Sequence, residues 1–218
     1  MTGTELWPLL SEGLAETLLM VGWSALFTLV FGLAIGVLLV LTERGGLLPA
    51  PGLHAVLGAV VNIGRSLPFV ILMVAIIPFT RLVTGTSIGT TAAIVPLSVG
   101  AIPFYARLVE TALHEVDRGV VEAAQAMGAT RLTIVAKVLL TEALPSLVAG
   151  LTVTIVTLVS YSAMAGTIGG GGLGDVAIRF GYQSFDTRVM VATVVVLVVV
   201  VQLLQMLGDF LARRLSHR

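Results

Sequence analysis

Some residue patterns in the 218-residue sequence are of the kind that do chemistry, and each is weighed by the residue types it demands. Gly169, Gly171 and Gly174 satisfy Gly-x-Gly-x-x-Gly, a spacing that places a dinucleotide pyrophosphate on a helix N-terminus when it follows a strand in a βαβ unit. Here it follows a long apolar run, so the expected use of Gly169 to Gly172 is a flexible turn or close backbone packing. A phosphate-cradling loop of the Walker type needs Gly-Lys followed by Ser or Thr. The single lysine, Lys137, is preceded by Ala136, so no such loop is present. The absence of cysteine removes disulfides, thiolate metal sites, iron-sulfur clusters and thiol catalysis. No Ser-His-Asp, carboxylate or metal-ligating constellation stands at a plausible site, and no metal is expected. Three other features stand out: a hydroxyl-rich run from Thr152 to Met164, an arginine (Arg65) within an apolar stretch, and a charged segment around Glu122.

The elements that carry these residues follow from composition. The chain is 57% hydrophobic and 11% charged with mean hydropathy +1.06, against about 25% charged residues in a soluble domain, which points to a chain dissolved in lipid. Twelve Lys and Arg cancel twelve Asp and Glu, leaving no basic face for nucleic acid. The first sixteen residues hold Glu5, Glu12 and Glu16 and no Lys or Arg, unlike the basic start of a secretory signal, so no cleavable targeting peptide is expected.

A helix crossing the hydrocarbon layer needs about 20 apolar residues. Charge-free runs of 26 residues between Glu16 and Glu43, 25 between Arg81 and Arg107, 32 between Glu142 and Asp175, and 20 between Arg188 and Asp209 each supply one span. The stretch from Ser66 to Thr80 has only 15 residues, so a fifth span is expected to begin near Ala55 to Val60 and to carry Arg65 in its first turns. The expected fold is all-α: one polytopic transmembrane domain over residues 1–218 with five helices. With the C-terminus inside, the inner segments hold Arg44, Arg107, Arg118, Arg131, Lys137, Arg213, Arg214 and Arg218, eight in all. The outer segments hold Arg81, Arg179 and Arg188, only three. This bias predicts the N-terminus outside and the C-terminus in the cytoplasm.

Residues 107–145 form a cytoplasmic loop with nine of the 24 charged residues. Within it, Asp117 to Gly128 reads as a short helix with Asp117 as N-cap, Glu122 near its positive end and Gly128 as its stop. Val120, Val121, Ala124 and Met127 recur at helical spacing and are expected on one apolar face. Thr130 caps a second helix running through Leu132, Val135, Ala136 and Leu139 towards Leu144, with re-entry to the membrane at Pro145 and Ser146. The small residues Ala123, Ala124 and Ala126 suit close approach to a partner's groove; the alternative is an amphipathic helix resting in lipid headgroups.

Glu122-Ala123-Ala124, three residues, Gly128, nine residues and Val138-Leu139-Leu140 resembles the EAA signature of the membrane subunits of ATP-binding-cassette importers. The departure is Thr141, where that pattern has proline. Val61-Asn62-Ile63-Gly64-Arg65-Ser66-Leu67-Pro68-Phe69, Ile77-Pro78-Phe79-Thr80-Arg81, Gly85-Thr86-Ser87-Ile88-Gly89 and Ala93-Ile94-Val95-Pro96-Leu97 are similar to the methionine importer permeases. So are Ala124-Gln125-Ala126-Met127-Gly128-Ala129-Thr130 and Tyr161-Ser162-Ala163-Met164, and the similarity runs from about Leu14 to Arg214. The resemblance implies a homodimeric permease in the bacterial inner membrane, not itself an enzyme. It implies two copies of a separate ATPase holding ATP and Mg, and an extracytoplasmic substrate-binding protein received by the outer loops 81–89 and 167–188. Glu122, Ala123, Ala124, Gln125, Met127 and Gly128 would form the coupling element, and the substrate would be methionine. Another amino acid, a small solute, or a passive channel remain the alternatives.

Ion-coupled transport is disfavoured by the spans themselves. The four clear ones contain no ionisable side chain, and His54, His114 and His217 all fall in or near inner segments. The hydroxyls Thr157, Ser160, Tyr161 and Ser162 are expected to line a central path with Tyr161 and Met164 as gates; the alternative is bonding back to their own helix. Arg65 is expected either to snorkel to the inner interface or to pair with a carboxylate such as Glu110. The Val-rich last helix is expected at the periphery, with Gln202 and Gln205 joining a neighbouring helix.

Overall fold

A computed structural model describes residues 3–216; His217 and Arg218 lie outside the described residues. The order is α1 (Gly3–Thr42), α2 (Pro51–Ser66), α3 (Phe69–Ala75), α4 (Ile77–Thr84), α5 (Thr90–His114), α6 (Arg118–Ala126) and α7 (Arg131–Ile134). A π-helical turn (Val135–Leu139), α8 (Leu140–Glu142), α9 (Leu144–Gly166), α10 (Gly172–Val176) with a π-helical continuation (Ala177–Gln183), and α11 (Thr187–Ser216) complete it. The fold is all-α among the described residues, as expected.

Among the described residues four helices, α1, α5, α9 and α11, are long and apolar enough to cross a membrane. The fifth span departs from the single helix expected over Arg65. The chain turns by 106° between α2 and α3, because Pro68 holds Leu67 in extended backbone and offers no N–H to continue the helix. A second break at Ile76 separates α3 from α4. Arg65 therefore sits exposed in the last turn of α2, outside any continuous span.

Packing begins with α1 on α5. A Cβ added at Gly36 would stand 2.6 Å from the carbonyl oxygen of Ala106 and 2.5 Å from Val109 Cβ. Gly32, one turn earlier, abuts Tyr105. Two glycines four apart let the backbones approach where larger residues would hold them apart. Met20, Val21, Phe69, Met73, Leu97 and Leu158 form one core among α1, α3, α5 and α9. Tyr105, Val109, Leu113, Ile134, Leu139 and Leu147 form a second towards the loop end. By contrast α11 buries only Val189, Thr193 and Gly208, which places it at the periphery. Gln205 donates to Asp209 Oδ1 within that same helix at 2.9 Å rather than to a neighbour, since α11 meets α9 through the small residue Gly208, against Thr152.

Candidate functional site

The loop between α5 and α9 is built by caps the sequence specifies. Asp117 Oδ1 accepts from the Gly119 N–H at 2.6 Å, starting α6. At its end the Gly128 N–H donates to the Gln125 carbonyl at 2.9 Å and the Ala129 N–H to the Ala124 carbonyl at 3.1 Å. That pair of bonds needs a left-handed residue between helix and exit, and Gly128 has φ +77°. Two residues on, Thr130 Oγ1 accepts from the Thr133 N–H at 3.3 Å and starts α7.

The apolar face expected on α6 divides in two. Val121 and Ala124 turn inward, Ala124 buried in the same core as Val109, Leu113 and Ile134. Val120 and Ala123 face outward with Met127, which is 81% exposed, and Leu132 beyond the turn is 78% exposed. The reason is geometric: α6 is rooted along one narrow line only, so residues 120, 123 and 127, which recur at helical spacing, occupy the neighbouring outward stripe. Outward-facing methionine and leucine beside small alanines make an adaptable apolar knob. Glu122 and Gln125 lie to one side, lining a cleft of about 560 Å³ with Glu43, Arg44 and Arg118. The six residues expected to couple are thus all on α6 or its cap, with Ala124 as their anchor.

The second helix of the loop is not continuous. Its middle is a π-helical turn, and Thr141, where the EAA pattern has proline, donates its hydroxyl to the Ala136 carbonyl five residues back at 3.4 Å. At the base, consecutive residues bind two different spans. His114 Nε2 lies 2.9 Å from Glu43 Oε2 at the end of α1, and Glu115 Oε2 accepts from Ser146 Oγ in the first turn of α9 at 3.1 Å.

The expected path residues are not brought onto one surface. Thr157 bonds the Val153 carbonyl at 2.8 Å and Ser162 the Val159 carbonyl at 2.7 Å, as Thr152 and Thr154 do to Val148 and Gly150. These hydroxyls therefore satisfy themselves on α9. Tyr161 stacks on Phe69 of α3 with ring centroids 4.3 Å apart, whereas Ser160 and Met164 face a groove of about 530 Å³ between α9 and α11 with Leu197, Val201 and Gln202. Glu110, proposed as a partner of Arg65, is buried and held by Arg107 at 2.5 Å. Arg107 also donates to Asn62 Oδ1 of α2 at 3.3 Å. Position 107 lies one turn before position 110 on one helix, so Arg107 has the short reach that Arg65 lacks.

The glycine run holds a feature that sequence reasoning missed. Glu16 Oε2 of α1 accepts from the Gly172 N–H at 2.6 Å, and Thr17 Oγ1 from the Leu173 N–H at 2.9 Å. Side chains from 156 residues away thus cap the start of α10. The run is close backbone packing, with Gly174 laid against the Ala163 carbonyl, and not a nucleotide loop.

Residues 32–218 match the family of binding-protein-dependent transport system inner membrane components. The chain is 60% identical over 203 residues, 93% of its length and 90% of the relative's, to a probable D-methionine transport system permease protein MetI of Vibrio cholerae. It is 45% identical over 83% of its length, and 82% of the relative's, to the methionine import system permease protein MetP of Bacillus subtilis. In structure it is similar to a chain in inward-facing conformations of the MetNI methionine ABC transporter, with TM-score 0.95 and 50% identity over 99% of both chains. A chain of an amino acid ABC transporter shares the fold at TM-score 0.80 and 19% identity, over 97% of this chain and 96% of that one.

Proposed function

The chain belongs to the family of binding-protein-dependent transport system inner membrane components, and from that premise we propose that it is the membrane permease of an ATP-driven methionine importer of the bacterial inner membrane. It spans the membrane several times. The observation that carries the coupling role is α6: a helix capped at both ends, anchored through Ala124 in the core of the spans, and presenting Val120, Ala123 and Met127 outward. A separate ATPase, two copies with their own ATP and Mg, seats on this surface. Methionine as substrate rests on the 45–60% identity to methionine permeases.

Five spans enclose too little for a path on their own, so the working unit is a homodimer about a two-fold axis. The Lys and Arg bias supports the N-terminus outside and α6 in the cytoplasm. An extracytoplasmic binding protein delivers substrate to the outer loops 81–89 and 167–188. Closure of the ATPase pair displaces α6, and because α6 shares a core with α5 and α9, the two permease halves rock between inward-open and outward-open states. The similarity to an inward-facing transporter supports the first of these as the arrangement described. Tyr161 and Met164 are the gate residues in this reading, Tyr161 through its stack on Phe69.

The test is radiolabelled methionine uptake into proteoliposomes holding the chain with its ATPase, binding protein and internal ATP. Uptake that needs every component supports the reading. Uptake by the chain alone makes it a channel, and ATP hydrolysis without methionine uptake keeps the class and reopens the substrate.

A further inference from the structure

Most threonine hydroxyls along α9 and α11 turn back onto their own helix, as Thr152, Thr154, Thr157 and Thr193 do. Thr80 of α4 does not. It is 4% exposed, and its Oγ1 has no hydrogen-bond partner among the described residues, although its backbone carbonyl accepts from Thr84 Oγ1 at 2.9 Å. A buried hydroxyl left unmet is costly. Thr80 lines a small cavity of about 20 Å³ shared with Met73, Ile77, Ser87, Ala92 and Pro96. A volume of roughly 10–15 Å³ on this measure holds one water molecule.

The same cavity borders a proline-interrupted stretch of α5. Pro96 lies inside α5 and has no N–H, so the Ala92 carbonyl one turn earlier lacks its helical donor. Proline within a membrane helix is tolerated where a neighbouring hydroxyl or an ordered water restores the missing bond. A buried donor without an acceptor, and the residue whose carbonyl loses its helical donor to Pro96, therefore line one water-sized space.

We propose that this cavity is a binding site for a single water molecule, which accepts from the Thr80 hydroxyl, donates to the Ala92 carbonyl, and takes Ser87 as its third partner. The water joins α4 to α5 at the proline and replaces the hydrogen bond that Pro96 removes. A water with two to four polar partners is a structural part of a protein rather than trapped solvent.

The sign of one stability change decides the matter. In the full chain in detergent, Thr80→Val keeps the shape and removes the hydroxyl. If the water is bound, its network loses a partner and Tm falls by about 2–6 °C, whereas Thr80→Ser holds Tm within about 2 °C of the parent. In a Pro96→Ala background the new N–H takes the Ala92 carbonyl and the Thr80→Val loss shrinks by about half or more. A dry cavity gives the opposite sign: Thr80→Val removes an unmet hydroxyl and Tm rises. A rise or no change overturns the proposal, and so does an experimental density map at high resolution with no water between Thr80 and Ala92. Should Pro96→Ala fail to fold, the Val and Ser variants at position 80 still decide.

Discussion

Ser146 donates its hydroxyl to the carboxylate of Glu115 across 3.1 Å, joining the first turn of α9 to the residue two before the cap of α6. The bond is exposed, so it contributes little to stability; its value lies in what it connects. With His114 pairing to Glu43 beside it, it makes the base of α6 a junction of three spans. For Ser146→Ala the expected outcome is a fall in methionine taken up per ATP hydrolysed, with Tm moving by about 2 °C or less. Parallel uptake and phosphate-release assays on the assembled transporter check this, and an unchanged ratio removes the junction from the coupling route.

Gly128 is the stop of α6 and holds φ +77° with open space where a Cβ would stand. Crowding by neighbours is therefore no obstacle to substitution, and backbone conformation alone sets the cost. Gly128→Ala is expected to cost about 1–2 kcal/mol, while Gly128→Val, β-branched, costs more. Stability measured by thermal unfolding then falls in the order Gly, Ala, Val. Uptake is expected to fall more steeply than stability, because the turn also sets where Met127 and Leu132 face.

At Gly36 the balance is reversed, since its backbone is ordinary helix and the limit is space. A Cβ there meets the Ala106 carbonyl at 2.6 Å and Val109 at 2.5 Å, distances that force α1 from α5. Gly36→Ala, which favours an isolated helix by about 1 kcal/mol, is here expected to destabilise by about 1–3 kcal/mol. Gly22, with nothing within 4 Å, is the control: Gly22→Ala leaves Tm the same or higher.

Much of this was legible because local rules apply to single segments. Charge-free runs marked the four continuous spans, and Asp117, Gly128 and Thr130 announced the loop helices through capping chemistry that needs no distant partner. What was not legible depended on packing. Val120 and Met127 are as apolar as Val121 and Ala124, and only the narrow seat of α6 on the core separates them. The hydroxyls of α9 suggested an open polar face, yet each of Thr152, Thr154, Thr157 and Ser162 found an acceptor on its own helix. Pro68 was visible as a break, but the 106° size of the turn it starts has no local sequence signal. The cap of α10 by Glu16 and Thr17 had no sequence signal, because periodicity does not report which distant side chain meets a helix end.

The arginine that matters at the α2–α5 contact is Arg107, and a pair of substitutions separates it from Arg65. Glu110 is buried and its carboxylate receives Arg107, whose second nitrogen reaches Asn62 on α2. Arg107→Met leaves a buried carboxylate without its cation, and a hydrogen bond to a charged group of this kind is worth about 2 kcal/mol. Arg65, exposed at the end of α2, has no such dependant among the described residues. Arg65→Met is therefore expected to leave thermal unfolding and uptake at the parent level, while Arg107→Met lowers both. In the Glu110→Gln background, where no charge awaits a partner, the further loss from Arg107→Met should shrink to about half or less. Thermal unfolding of the four variants checks this cycle, and equal losses in both backgrounds would show that Arg107 acts through packing alone.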